Sequence, residues 1–202
     1  MSYTYVLCHG FGFSHTYWRP LVPFLDGESL FFDSSFQAKK NQHYIGVGHS
    51  LGFQKLNNSG IKFDFLIGLH GFLNFCGHDA YERKIREQNL NRIIELFQHN
   101  PYKTLNMFYK SCQYPDPIPQ HIDTNILLSD LQSMKKHSTF CGYPTLIIGS
   151  DNDEIVPLSL INDNFLGVKN VTIAEIQNGA HSLGFFKPKE VSIQLKSFIN
   201  TL

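Results

Sequence analysis

The stretch HYIGVGHSLG, residues 43–52, places a glycine-rich turn between an apolar run and a short helical pattern. Such a turn can bind a phosphate or expose a nucleophilic serine. A dinucleotide-binding turn needs G-x-G-x-x-G, but the third glycine comes one position late here, at Gly52. The pattern G-x-S-x-G fits residues 48–52 fully and predicts a sharp strand-to-helix turn that exposes the Ser50 hydroxyl. The simpler alternative is that Ser50 only caps the helix.

Composition limits the class of protein. The chain has 202 residues, of which 42% are hydrophobic and 17% charged, as in an ordinary globular domain. Its formal net charge is zero, which predicts neither a nucleic-acid partner nor an anionic membrane surface. The four cysteines form no CxxC pair, and the first residues do not resemble a signal peptide. We therefore expect a cytoplasmic protein without a membrane span.

Strand patterns alternate with helical patterns along most of the chain. Apolar strand patterns cover residues 3–8, 30–32, 43–47, 63–69, 144–149 and 171–176, and helical patterns cover 17–25, 51–57 and 188–199. This alternation predicts an α/β protein with a mostly parallel sheet of about six strands.

Residues 78–137 interrupt the alternation and are called the helical segment below. Helical patterns at 81–99, 102–112 and 123–137 surround a proline-rich turn, and no strand pattern occurs among them. We expect residues 1–77 and 138–202 to form the core, with the helical segment inserted as a lid over the carboxyl ends of the strands.

Two further motifs follow the last two strand patterns. A serine nucleophile needs a base, and the base needs an acid that orients it. Asp153 lies in GSDNDEIVP, residues 149–157, and His181 lies in NGAHS, residues 178–182. The order Ser, Asp, His is the one expected when a G-x-S-x-G turn carries the nucleophile. Asp151 remains an alternative acid, although it could instead close a turn.

The motif set resembles the α/β-hydrolase superfamily over nearly the whole chain. The motifs are HGFG, GHSLG, GSDNDEIVP and NGAHS. Within the superfamily, the chain most resembles biotin-pathway esterases that demethylate pimeloyl-acyl-carrier-protein methyl ester. This closer resemblance is carried by HGFGFSHTYWRPLVPFL and FQHNPYKTLNMFYKSC. The resemblance implies Ser50 as nucleophile, Asp153 as acid and His181 as base. It also implies that the backbone N–H groups of Phe11 and Leu51 form the oxyanion hole.

The sequence departs from the superfamily pattern in two ways. His9 and Ser50 are only 41 positions apart, which predicts a trimmed sheet. Phe53 occupies the position three after the nucleophile, where a small residue usually lets the helix pack closely on the sheet. The second departure concerns the packing of the turn, not its chemistry.

Charge in the helical segment suggests a substrate class. Residues 80–110 carry six basic and three acidic side chains, a net of +3, and the predicted carrier-binding residues are Arg83, Lys84, Arg86 and Arg92. Such a surface would suit an acidic carrier protein that delivers an acyl chain, but it also fits an ordinary solvated helix face. Phe108 is expected to contact the acyl chain, although some aromatic residues of this segment must simply form its core.

Three functions remain open at this point. The first is a serine esterase for a carrier-bound methyl ester, and the second is a general small-ester or thioester hydrolase. The third is a binding protein that keeps the fold without turnover. None of the three requires a metal or organic cofactor, and the other histidines show no spacing typical of a metal site.

Overall fold

A computed structural model describes residues 3–201 of the protein, so Met1, Ser2 and Leu202 of the expected core lie outside the described range. Six strands form one parallel sheet in the order β2-β1-β3-β4-β5-β6. The strands are β1 (Tyr3–Cys8), β2 (Gly27–Phe31), β3 (Tyr44–His49), β4 (Phe65–Leu69), β5 (Thr145–Ser150) and β6 (Val171–Ile176). The prediction of an α/β protein with about six mostly parallel strands is confirmed.

Helices cover both faces of the sheet. The helices are α1 (Leu51–Asn57), α2 (Ala80–His99), α3 (Pro101–Ser111), α4 (Thr124–Ser133), α5 (Leu158–Phe165), α6 (Leu183–Phe186) and α7 (Pro188–Asn200). Successive residues of β1 face opposite cores: Val6 packs in the core that holds α1 and α5, and Leu7 in the core that holds α6 and α7. Among the described residues, no helix combines the length and apolarity needed to cross a membrane.

Side-chain caps define the helices of the helical segment. Asp79 accepts hydrogen bonds from two backbone N–H groups of the first turn of α2, and Asp123 does the same for α4. Asn100 ends α2 and caps α3, whose first residue is Pro101. These three helices follow one another between β4 and β5. Their predicted role as a lid stays a prediction.

Two helix predictions were wrong in extent. The predicted helix at residues 17–25 is instead a pair of short 3₁₀ helices, His15–Trp18 and Val22–Phe24. Pro20 and Pro23 have no N–H to donate, and residues such as Leu21 and Leu25 bond to the carbonyl three positions earlier. The helix expected at 123–137 ends at Ser133. The helices α5 and α6 were not predicted.

Candidate active site

The turn around Ser50 is tightly packed and strained. Ser50 joins β3 to α1 with φ 53° and ψ −124°, outside the regions that residues with a side chain usually occupy. A Cβ on Gly52 would lie 2.0 Å from the Cys8 carbonyl oxygen, and one on Gly48 would lie 2.3 Å from the Phe53 Cα. Both glycines are therefore needed for α1 to sit directly on the ends of the strands.

Phe53 is accommodated by glycines on the neighbouring strand and loop. Its side chain is fully buried and packs edge-to-face against Phe165, with ring centroids 5.7 Å apart. A Cβ on Gly71 would lie 2.7 Å from the Phe53 ring, and one on Gly68 would lie 2.9 Å from it. The small residues that allow close packing are thus supplied opposite α1 rather than on it.

The structure brings Asp153 and His181 into direct contact. The His181 Nδ1 atom lies 2.7 Å from Asp153 Oδ2, and both side chains are buried. Asp153 Oδ1 accepts hydrogen bonds from the backbone N–H groups of Ile155 and Val156, and these bonds fix the carboxylate. Asp151, the alternative acid, is exposed to solvent. The geometry favours Asp153, and its catalytic role stays a prediction.

The ionisation of Asp153 reflects its partners. Burial alone would raise the pKa of this carboxyl, but the neighbouring His181 and His70 and the hydrogen bonds it accepts hold the pKa below its usual value. A charged Asp153 accepts a hydrogen bond from Nδ1 of His181, so Nδ1 carries the proton. The other ring nitrogen, Nε2, is then the one that can accept a proton. His181 therefore has the tautomer that a general base requires.

Two reactive atoms have no hydrogen-bond partner within residues 3–201. His181 Nε2 is buried and unpaired, and no hydrogen bond involves Ser50 Oγ. A direct bond between these two atoms is thus not formed in this structure. The same holds for the backbone N–H groups of Phe11 and Leu51, which bond to no other described group. These two donors are free to bind an oxyanion.

A cavity of about 560 Å³ lies between the carboxyl ends of the strands and the helical segment. Ser50 and Phe11 line it on the core side, and Arg86, Arg92 and Phe108 line it on the side of the helical segment. The volume is in the range typical of small-molecule sites. The cavity therefore gives a ligand access to Ser50.

The predicted basic residues of α2 divide into two pairs. Arg83 bonds to Glu87 at 2.8 Å, and Arg86 lies 3.4 Å from Glu82, both with a spacing of four residues. Lys84 and Arg92 take part in no ion pair with another described residue. Only two of the four predicted positive charges are therefore uncompensated by a neighbouring carboxylate.

Sequence reasoning missed two histidines that contact the His181 loop. The His181 backbone carbonyl accepts a hydrogen bond from His49 Nε2 at 3.0 Å and another from His70 Nδ1 at 3.2 Å. His49 ends β3, and His70 directly follows β4. Since parallel strands end at one edge of a sheet, their positions at two neighbouring strand ends were a usable signal.

The three histidine rings are close enough to raise the question of a metal ion. One nitrogen of each of His49, His70 and His181 lies within 4.8 Å of the others. In this arrangement, however, one ring nitrogen of His49 and one of His70 donate hydrogen bonds to the His181 backbone carbonyl. One ring nitrogen of His181 is hydrogen-bonded to Asp153. The cluster is built as a hydrogen-bond network around the backbone of His181.

Comparison with known proteins identifies the fold. No protein-family model and no curated protein matches the sequence. An esterase from Exiguobacterium antarcticum superposes with a TM-score of 0.78 at 12% identity, covering 98% of this chain and 92% of the other. A lipase-esterase related protein from Clostridium acetobutylicum gives 0.72 at 16% identity, with 96% and 93% covered. A bromoperoxidase from Bacillus anthracis gives 0.67 at 17% identity, with 99% and 92% covered. The sheet order, the turn at Ser50 and these superpositions show that the chain has the α/β-hydrolase fold.

Proposed function

We propose that the protein is a serine hydrolase that cleaves carboxylic esters, with Ser50 as nucleophile, His181 as base and Asp153 as acid. One observation carries the proposal: His181 is held by Asp153 at 2.7 Å, its Nε2 atom is unpaired, and its ring centroid lies 6.3 Å from that of Phe108, which lines the same cavity as Ser50. His49 is also buried with one unpaired ring nitrogen, Nδ1, so it is the bond to Asp153 that distinguishes His181 as the base.

In the first half of the reaction, Ser50 Oγ attacks the carbonyl carbon of the ester as His181 Nε2 takes its proton. The N–H groups of Phe11 and Leu51 stabilise the negative oxygen of the tetrahedral intermediate, and loss of one such donor costs roughly 10²–10³ in turnover. His181 then gives its proton to the departing alcohol, which leaves an acyl group on Ser50.

Water completes the reaction. His181 Nε2 removes a proton from the attacking water, a second tetrahedral intermediate forms, and the bond between the acyl group and Ser50 Oγ breaks. Ser50 regains its proton and the carboxylic acid is released. These steps use side chains and backbone donors of the protein itself, with no metal or organic cofactor.

For the substrate, we propose pimeloyl-acyl-carrier-protein methyl ester, which would place the protein in biotin synthesis. Phe108, Ile93 and Met107 give the cavity an apolar lining suited to a methylene chain. Lys84 and Arg92 supply positive charge on α2 and form no ion pair within residues 3–201, which suits an acidic carrier. A general small-ester hydrolase is the alternative if these charges only solvate a helix face.

Turnover of a short p-nitrophenyl ester tests the general proposal. The wild-type protein should hydrolyse the ester, and Ser50→Ala should lose activity by roughly 10⁶-fold while remaining folded. If wild type and Ser50→Ala hydrolyse it equally slowly, the protein would be a binding protein with a hydrolase fold.

Charge reversal on α2 tests the proposed carrier. Lys84→Glu combined with Arg92→Glu should raise KM for the carrier-bound methyl ester several-fold, less so at high salt, because exposed charges act mainly on association. Hydrolysis of the p-nitrophenyl ester should change little. The matched control reverses two exposed lysines away from the helical segment, Lys40→Glu with Lys62→Glu.

The two substrates separate the alternatives. An unchanged KM for the carrier-bound ester would favour the general hydrolase. An equal loss on both esters would mean that the substitutions disturb the folding of the helical segment, and the carrier proposal would lose its support.

A further inference from the structure

His70 contacts both loops that carry the candidate acid and base. Its Nδ1 atom donates to the His181 backbone carbonyl at 3.2 Å. Its Nε2 atom lies 2.9 Å from Ser150 Oγ and 3.3 Å from Asp153 Oδ2. Ser150 ends β5, so the His70 ring joins the start of the Asp153 loop to the His181 loop.

The surroundings of His70 hold the ring in place. The side chain is fully buried, and its ring lies nearly parallel to that of His181, with centroids 5.4 Å apart. The backbone of His70 has φ 50°, in the left-handed region that residues with a side chain rarely adopt. Its backbone N–H bonds to the Ile148 carbonyl at 2.8 Å, so the strained conformation is fixed by the sheet.

The hydrogen bonds also set the tautomer of His70. A carbonyl only accepts, so the Nδ1 atom facing His181 carries the proton. In a neutral ring the Nε2 atom then accepts, and the Ser150 hydroxyl is its donor. Burial lowers the pKa of His70 to about 4, which keeps the ring neutral near pH 7. Asp153 Oδ2 thus receives its short hydrogen bond from His181 rather than from His70.

We propose that His70 is a positioning residue for the proposed hydrolysis: through its hydrogen bonds to the His181 carbonyl and the Ser150 hydroxyl, it fixes the His181 loop relative to the loop that carries Asp153, so that His181 presents Nε2 to Ser50. His70 does not contact the reacting atoms in this role. The inference rests on the proposed function for its kinetic consequence, but the geometry it asserts can be measured without a substrate.

Removal of the His70 ring should shift His181 and Asp153 relative to each other. In His70→Ala the His181 carbonyl keeps only the His49 donor, and space opens beside Asp153 Oδ2. Misplacement of a catalytic group by about 1 Å can cost roughly 10²-fold, so we expect kcat to fall by about 10–100-fold with KM nearly unchanged. His70→Asn, whose amide N–H can reach the same carbonyl, should recover most of the loss. His43→Asn, at a half-exposed histidine paired with Asp64, is the control and should leave kcat unchanged.

A double-mutant cycle tests whether His70 acts through Asp153. In the Asp153→Asn background, His70→Ala should lower kcat much less than it does in the wild type, because the pair it positions is already broken. If the two losses multiply instead, His70 does not act through Asp153 and the proposal is overturned.

A proton NMR measurement gives a result that does not depend on turnover. The Nδ1 proton shared by His181 and Asp153 should give a far-downfield signal in the wild type that shifts or exchanges away in His70→Ala and returns in His70→Asn. An unchanged signal in His70→Ala would overturn the positioning role. Failure of the wild type to hydrolyse any ester would overturn the proposed function alone, since this signal would still report on His70.

Discussion

The carboxyl edge of the sheet and the helical segment are built differently. At the edge, Ser50, Asp153 and His181 are almost completely buried, and each is held by backbone hydrogen bonds or neighbouring side chains. In the helical segment, only three of the twenty residues of α2 are buried, and Met107 on α3 is 52% exposed. In the proposed function, the buried edge carries the chemistry and the more exposed helices select the substrate.

After Ser50→Ala, the largest loss of activity should come from the buried acid. Asp153→Asn should reduce turnover of a p-nitrophenyl ester by roughly 10⁴-fold, because an amide can hold His181 in the wrong tautomer. Asp151→Asn, two residues away but exposed, should retain nearly full activity. If Asp151→Asn were the damaging change, the assignment of the acid would be wrong.

The next largest difference should be in the free energy of unfolding, measured for one substitution in α1 and one in α3. Phe53→Ala removes a fully buried ring between α1 and the glycines of β4 and its loop, and should lower the free energy of unfolding by about 3–5 kcal/mol. Met107→Ala on α3 should lower it by less than about 1 kcal/mol. Urea unfolding followed by circular dichroism measures both. Similar losses for the two variants would contradict the contrast between the buried edge and the exposed side of the helical segment.

Acid should destabilise the edge through its histidines. Burial lowers the pKa of His70 from its usual value to about 4, so the unfolded chain binds more protons between about pH 6.5 and 4. The free energy of unfolding is therefore unaffected by the protonation of His70 above about pH 6.5. It declines by roughly 3 kcal/mol as the pH falls to about 4. Burial also lowers the pKa of His49, which adds to the decline. Asp153, whose pKa is lowered, adds a further loss only below about pH 4.

Unfolding in urea at several pH values checks this dependence. His70→Asn should flatten the curve between about pH 6.5 and 4, whereas His121→Asn on an exposed loop should not change it. A wild-type slope retained in His70→Asn would mean that His70 is not the group that titrates.

Much of the fold could be predicted because strand ends carry local signals. The turn at Ser50 is fixed by nearby glycines, and the positions of Asp153 and His181 after β5 and β6 follow from the strand patterns. The contact between Phe53 and Gly71 could not be predicted, because it depends on how α1 lies against a separate strand. The place of His70 at the end of β4 was a usable signal, but its partners could not be predicted, because they are 80 and 111 positions away in the sequence.

In the helical segment, net charge overstates the positive charge that a partner can meet. The four-residue spacing of Arg83 with Glu87, visible in the sequence, already predicts that part of this charge is paired. The pairing leaves Lys84 and Arg92 as the charges with which the proposed carrier would interact.

Labelling by a fluorophosphonate probe shows whether Ser50 is a nucleophile activated by His181. Intact-mass and peptide analysis should show one probe molecule on Ser50 in the wild type. Labelling should be strongly slowed in His181→Ala and retained at the wild-type rate in His121→Asn. Absence of labelling in folded wild-type protein, or labelling of Ser50 at an unchanged rate in His181→Ala, would contradict the account.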